Sequence, residues 1–151
     1  MREIKFRFWN REENQMISGD TLAFEEYAPL CHLLSQEGIM QYTGLKDKNG
    51  REIYEGDIIV DGSAPGPEYG IGGYMFTKYE VKMVNGCFVV ECIPDCVNDH
   101  IFGSYHLLYE VITDGFAEVV GNIYENLELL KEKWMLETHI RSLSEADMFL
   151  L

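Results

Sequence analysis

Cys92, Cys96 and His100 are each separated by three intervening residues, with Asp95 and Asp99 between them and Cys87 and His106 nearby. Thiolates and imidazoles in such a run can ligate zinc, whose cysteine pairs usually stand about two to four residues apart. The cluster is single and loose, and no second cysteine pair of the usual spacing accompanies it. Cys87 and Cys92 differ by an odd number along one strand-like run, so they face opposite ways. The expectation is therefore buried or loop thiols, with no metal and no other cofactor.

Other chemistries fare no better. Cys31-His32 place a nucleophile beside a base in sequence, but on a helix the two side chains diverge by about 100°, and packing is the plainer role. Carboxylate pairs carry no information in a chain this acidic. Gly70-Ile71-Gly72-Gly73 is followed by neither a helix pattern nor a Lys-Ser/Thr pair, so it fails as a phosphate loop. No catalytic set is expected, and the chain reads as a non-enzyme. What remains is a surface. Arg2, Lys5 and Arg7 form a basic stripe if they share a face with Lys46, Lys48 and Arg51. With Trp9, Tyr42 and Tyr54, the residues Arg7, Lys46, Lys48 and Arg51 make up the candidate binding surface.

The elements that must position these residues are mostly strands. Residues 3 to 9 alternate, with Ile4, Phe6 and Phe8 on one face and Glu3, Lys5, Arg7 and Trp9 on the other. Period two signals a half-buried strand, and Trp9 on the polar face needs a cover. Gln15-Met16-Ile17 returns as a paired strand. Thr21 to Leu34 suggests short helical pieces interrupted at Pro29. Ile39 to Tyr42 suits a strand, Asp47-Lys48-Asn49-Gly50 is a turn, and Ile58-Ile59-Val60 is a buried strand by composition. Tyr42 and Tyr54 should pack across neighbouring strands. Gly44, Gly50 and Gly56 permit bends, and Asp57 should accept local backbone N–H bonds.

Asp61 to Gly73 holds two Pro and five Gly and reads as a loop. Two strand-like runs flank Asn85-Gly86, the clearest hairpin signal, with a type I′ turn. His106 to Thr113 fits either strand or helix. Phe116 to Tyr124 is a strand. Asn126 caps a helix to about Glu137, with Leu127, Leu130 and Trp134 on one face. Several short strands with Gly-rich bends predict a small, strongly curved sheet or barrel with short helices outside it.

The chain has 151 residues, of which 46% are hydrophobic and 25% charged. That suits one domain with an ordinary core. No apolar run approaches the ~18 residues of a membrane span, and the start alternates rather than forming a signal-peptide core. A cytoplasmic setting follows, with reduced thiols. The net charge of −14 argues against broad binding to nucleic acid and is compatible with solubility or a basic protein partner.

The run from Met40-Gln41-Tyr42-Thr43-Gly44 through Asn49-Gly50-Arg51-Glu52-Ile53-Tyr54-Glu55-Gly56-Asp57-Ile58-Ile59 resembles the signature of the YopX family of phage and prophage proteins. Met1 to Asn10 resembles that family's opening strand, and Glu118-Val119-Val120-Gly121-Asn122-Ile123-Tyr124-Glu125-Asn126 its closing strand. The resemblance covers about residues 1 to 131. It implies an SH3-like, partly open barrel and a phage or prophage origin, which puts the protein in the cytoplasm of a bacterial host. It transfers no activity, catalytic residue or cofactor.

The resulting expectation is a mainly β protein with minor α. A single unit spans 1–137, with 39–125 as the barrel core and 138–151 as a C-terminal extension whose apolar end needs a cover. The expected function is non-enzymatic binding of a protein partner, for which a basic protein is one candidate; homo-oligomerisation is a separate expectation. The alternative is nucleic-acid binding through the N-terminal strand and the Lys46–Arg51 turn. No membrane association is expected.

Overall fold

A computed structural model of the protein describes residues 3–19, 37–62, 77–93 and 105–130. Cys31, His32, Cys96, His100, Trp134, the expected helical pieces within 21–34 and the C-terminal extension lie outside the described residues. So does most of the 61–73 loop.

The alternating runs form strands where period two meets a partner. In chain order these are β1 (Phe6–Asn10), β2 (Gln15–Ser18), β3 (Ile39–Lys46), β4 (Glu52–Tyr54) and β5 (Asp57–Asp61), then β6 (Thr77–Val84), β7 (Cys87–Ile93), β8 (Tyr105–Leu107) and β9 (Ala117–Asn122). They build two sheets, ordered β2-β1-β3-β4 and β8-β7-β6-β5-β9. Every recorded pairing is antiparallel. The protein is mainly β, with a curled, half-barrel sheet and, among the described residues, one α-helix, as the short strands and bends predicted.

The segment that fits either strand or helix divides. Tyr105–Leu107 extends as β8, and Leu108–Thr113 winds into a short helix, α1, held by its buried Leu108 and Val111. The hairpin at Asn85-Gly86 forms as expected: both residues take positive φ, as a type I′ turn requires, and β6 and β7 pair from Val84↔Cys87 outward.

β5 explains its own continuous apolar run. Ile58 and Ile59 are both fully buried but belong to different clusters. Ile59 joins Ile53, Val81, Val90, Leu108, Val111, Ala117 and Val119; Ile58 joins Ile93 and Leu130. A strand buried on both faces loses the polar alternation of a surface strand. Each isoleucine contributes about 1.5–3 kcal/mol by burial. The register against β9 shifts between Ile58↔Gly121 and Ile59↔Val119, leaving Val120 as an unpaired, exposed bulge residue.

The chain passes from one sheet to the other at Glu55-Gly56. Gly56 N–H donates to Val81 O at 2.9 Å, and Ile123 N–H donates to Gly56 O at 2.9 Å. Gly56 has φ of 78°, and a Cβ there would lie 3.3 Å from both Ile123 Cγ1 and Met40 Sδ. Only glycine takes this backbone conformation without strain and leaves the neighbours in place.

Two details differ from the sequence reading. β1 begins at Phe6, and Ile4 is 65% exposed; the register with β3 runs over Phe6, Arg7 and Phe8, with one further bond from the Tyr42 N–H to Lys5 O at 2.8 Å. Asn126 does not direct its Oδ1 into the following helix. That atom accepts the Asn122 N–H at 3.1 Å, passing over Gly121, where a Cβ would collide with it at 2.4 Å. The turn that follows, Leu127–Leu130, is a 3₁₀ helix burying Leu130 and exposing Leu127.

Candidate functional site

The face of β1 that reads as polar is engaged by side chains of β3, β4, β5 and the segment after β9. Arg7 Nη2 bonds Asp57 Oδ1 at 2.5 Å, and its guanidinium lies 4.6 Å from the Tyr54 ring centroid. Trp9 stacks on Tyr124, with centroids 5.9 Å apart and planes at 16°. Lys5 Nζ bonds Glu52 Oε1 at 2.6 Å and Glu3 Oε1 at 3.1 Å, and stands 5.5 Å from the Tyr42 ring centroid. Tyr42 and Tyr54 pair directly across β3 and β4 with centroids 5.4 Å apart. The expected cover for Trp9 is therefore Tyr124, more than 100 residues along the chain.

The electrostatics of this face are closed on themselves. Asp57 is 1% exposed and also accepts the Tyr54 N–H at 2.8 Å, the local bond its position predicted. Burial pushes its carboxyl above the usual range, and Arg7 and the Tyr54 N–H offset only part of that. Arg7 Nε is buried without a hydrogen-bond partner, so the guanidinium serves Asp57 and the Tyr54 ring rather than a full donor set. The Tyr54 hydroxyl donates to Glu52 Oε2 at 3.0 Å and is pushed up to about 12 by burial, with that bond adding. Hydrogen bonds to Glu52 and then Glu3 raise Lys5, and the bond from Lys5 lowers Glu52 despite some desolvation.

A second buried carboxylate stands at the far end of the β3–β4 hairpin. Asp47 Oδ1 accepts the N–H groups of Asn49 and Arg51, each at 2.9 Å. Its Oδ2 accepts the Val119 N–H at 3.0 Å, joining the turn to β9. Desolvation would raise this carboxyl, but the bonds from Val119, Arg51 and Asn49 together hold it below the usual range.

Between the two sheets, above Gly56, runs an open groove with a volume of about 280 Å³. Met40, Met83, Ile123 and Tyr124 supply apolar and aromatic walls, and Glu55 and Glu80 supply carboxylates. Glu55 Oε2 accepts the Gln41 N–H at 2.9 Å. Lys82 also lines the groove, and its ammonium is bound to Glu91 and lies 3.6 Å from Glu80. Burial alone would lower Lys82, but its carboxylate partners outweigh that and raise it.

The chain matches the family model described as YopX protein over residues 5–131. The protein belongs to the YopX family. It is also similar to the crystal structure of protein EF1440 from Enterococcus faecalis, with 25% identity, a TM-score of 0.54, and coverage of 86% of this chain and 99% of that one. No curated protein matches it.

The YopX signature residues mostly serve folding. Gly44, Gly50 and Gly56 take positive φ as expected, and Thr43 Oγ1 fills the irregular β3–β4 ladder by donating to Ile53 O at 2.8 Å. In the closing motif, buried Asn122 accepts the N–H groups of Tyr124 and Glu125 and donates to Glu125 Oε2 at 2.6 Å. Of the seven surface residues singled out from sequence, Arg7, Tyr42 and Tyr54 come together, with Tyr42 only 5% exposed. Trp9 lies against Tyr124. Lys46, Lys48 and Arg51 are exposed at the hairpin, where Lys48 pairs with Glu118 at 2.8 Å.

Asp47, Asp57, Glu52 and the Gly56 groove were missed as partners in a site. A lone acid before a turn or strand carries no mark of a distant partner. Among the described residues, no group of three or more His, Cys, Asp or Glu side chains could hold a metal, and no helix is long and apolar enough to cross a membrane. Cys87 is exposed and Cys92 buried, on opposite faces of β7 as their spacing predicted.

Proposed function

We propose that this YopX protein is a non-enzymatic accessory module of phage or prophage origin, working in the cytoplasm of a bacterial host by binding another protein. The observation that carries this reading is the open groove with apolar walls and carboxylates on a chain of net charge −14. Such a surface suits a protein partner bearing positive charge. The alternative, nucleic-acid binding through the N-terminal strand and the Lys46–Arg51 turn, needs cations available to phosphates. Arg7 and Lys48 are instead occupied by Asp57 and Glu118.

The test is capture from host lysate on immobilised full-length protein, run beside filter binding to single- and double-stranded DNA and RNA at low salt. A reproducible protein partner, released as salt rises, is the expected result. Absence of any reproducible partner overturns the reading. So does nucleic-acid binding that is lost on changing Arg51→Glu and Lys46→Glu together.

A further inference from the structure

We propose that the groove above Gly56 docks a cationic, amphipathic segment of a partner protein, seating an arginine side chain against Tyr124 within reach of Glu55. The inference rests on the binding-module reading and gives it a place and a ligand chemistry.

The walls suit a long side chain with an apolar stem and a charged head. Met83, 37% exposed, offers a thioether surface that adapts to an aliphatic chain. Tyr124 is braced by its stack on Trp9, and an aromatic wall of this kind attracts guanidinium more strongly than it attracts a neutral group. Glu55 uses Oε2 for the Gln41 N–H, and its Oε1 makes no hydrogen bond to the described residues. Among the described residues, the cation lining the groove is Lys82, which is already committed to Glu91 and Glu80, so it does not oppose an incoming positive charge in full.

Size and shape point the same way. A volume of about 280 Å³ falls below the roughly 300–1,000 Å³ of sites that enclose a drug-sized ligand. It is adequate for one inserted side chain of a peptide lying across an open groove. Gly56 lines the groove, and a side chain there would press on Met40 and Ile123. Charge selects the occupant: an acidic groove on an acidic chain repels anionic segments and draws cationic ones.

The probe is a short, terminally blocked peptide of alternating arginine and leucine, titrated into isotopically labelled full-length protein and followed by amide NMR shifts. A matched peptide with glutamate in place of arginine is the control. We expect saturable shifts centred on Gly56, Met83 and Tyr124, weakening with salt, and none from the control. Glu55→Gln preserves the acceptor for Gln41 and should weaken binding roughly threefold to tenfold. Met83→Lys, at a side chain 37% exposed, should abolish it. Unchanged spectra elsewhere and an unchanged melting temperature show that both variants fold.

Shifts centred instead on Tyr105 and Tyr109, equal binding of the glutamate peptide, or unaltered affinity in both variants overturns the proposal. Capture of the same lysate partner by the wild type and both variants also overturns the groove while leaving the binding-module reading intact. Capture of no partner by the wild type overturns that reading itself.

Discussion

Asp47 and Asp57 are both buried carboxylates beside the same short strand, and they handle their charge in opposite ways. Asp47 is surrounded by three backbone N–H groups, two from its own turn and one from β9. Asp57 has one backbone N–H and a guanidinium brought by β1. Fixed amide dipoles aimed at a carboxylate favour its ionised form. A single ion pair within the interior recovers less of what burial costs. The difference shows in the two carboxyls: Asp47 sits below the usual range and Asp57 above it. Asp47 therefore stabilises the hairpin through hydrogen bonding, whereas the ion pair of Asp57 with Arg7, which links β1 to the start of β5, offsets only part of the cost of burying it.

The comparison breaks most visibly at Arg7. Arg7→Ala leaves Asp57 buried without its counter-charge and should cost about 3–5 kcal/mol in chemical denaturation. Arg7→Leu combined with Asp57→Asn should recover much of that loss, since both charges leave together. A full loss persisting in the double variant would make packing against Tyr54, rather than charge, the decisive term.

At the other carboxylate, Asp47→Ala strips the acceptor from three N–H groups and should cost about 2–4 kcal/mol, read in the same way. Asp47→Asn retains one acceptor oxygen and should cost less than Asp47→Ala. Equal losses in the two would contradict the role given to the backbone bonds.

pH separates the pair by sign. The folded Asp47 value is depressed, so its contribution is present above the ordinary carboxylate value of 3.8 and is lost as pH falls through the lower folded value. The folded Asp57 value is raised, so the cost of its ionised form is present at neutral pH and is relieved as pH falls toward 3.8. Stability measured against pH should flatten on the acid side in Asp47→Asn and steepen in Asp57→Asn. Side-chain carboxyl titration by NMR should place the two midpoints on opposite sides of 3.8.

The smallest effect belongs to the exposed pair beside Asp47. Lys48→Ala removes the contact between the hairpin turn and Glu118 of β9, and the change should stay within about 0.5 kcal/mol and shrink with salt. A larger, salt-resistant loss would mean that the Lys48 N–H bond to Ala117 O at 3.0 Å had also shifted.

Much of the fold was legible because it is local. Asn85-Gly86 and Asp47 to Gly50 specify turns through residues that tolerate positive φ, and the strands follow from alternation around them. The site was less legible. Arg7 and Asp57 are 50 residues apart, and Asp47 and Val119 are 72 apart. Periodicity in one strand says which residues share a face, not which face finds a partner. β1 illustrates the limit: Lys5, Arg7 and Trp9 were correctly grouped on one face, yet that face carries the contacts to Tyr42, Asp57 and Tyr124. The Gly56 groove was invisible for the same reason, since its walls come from β3, β6 and the segment after β9.

By itself, then, the sequence determined the strands, the turns and the glycine bends, because backbone stereochemistry and period two are written within a few residues. Tertiary structure alone decided that Arg7 would neutralise Asp57, that Trp9 would brace Tyr124, and that two sheets stitched at Gly56 would leave an acidic groove between them. Those outcomes depend on bringing distant segments together, and the cost of burying a charge is settled only when its partner arrives.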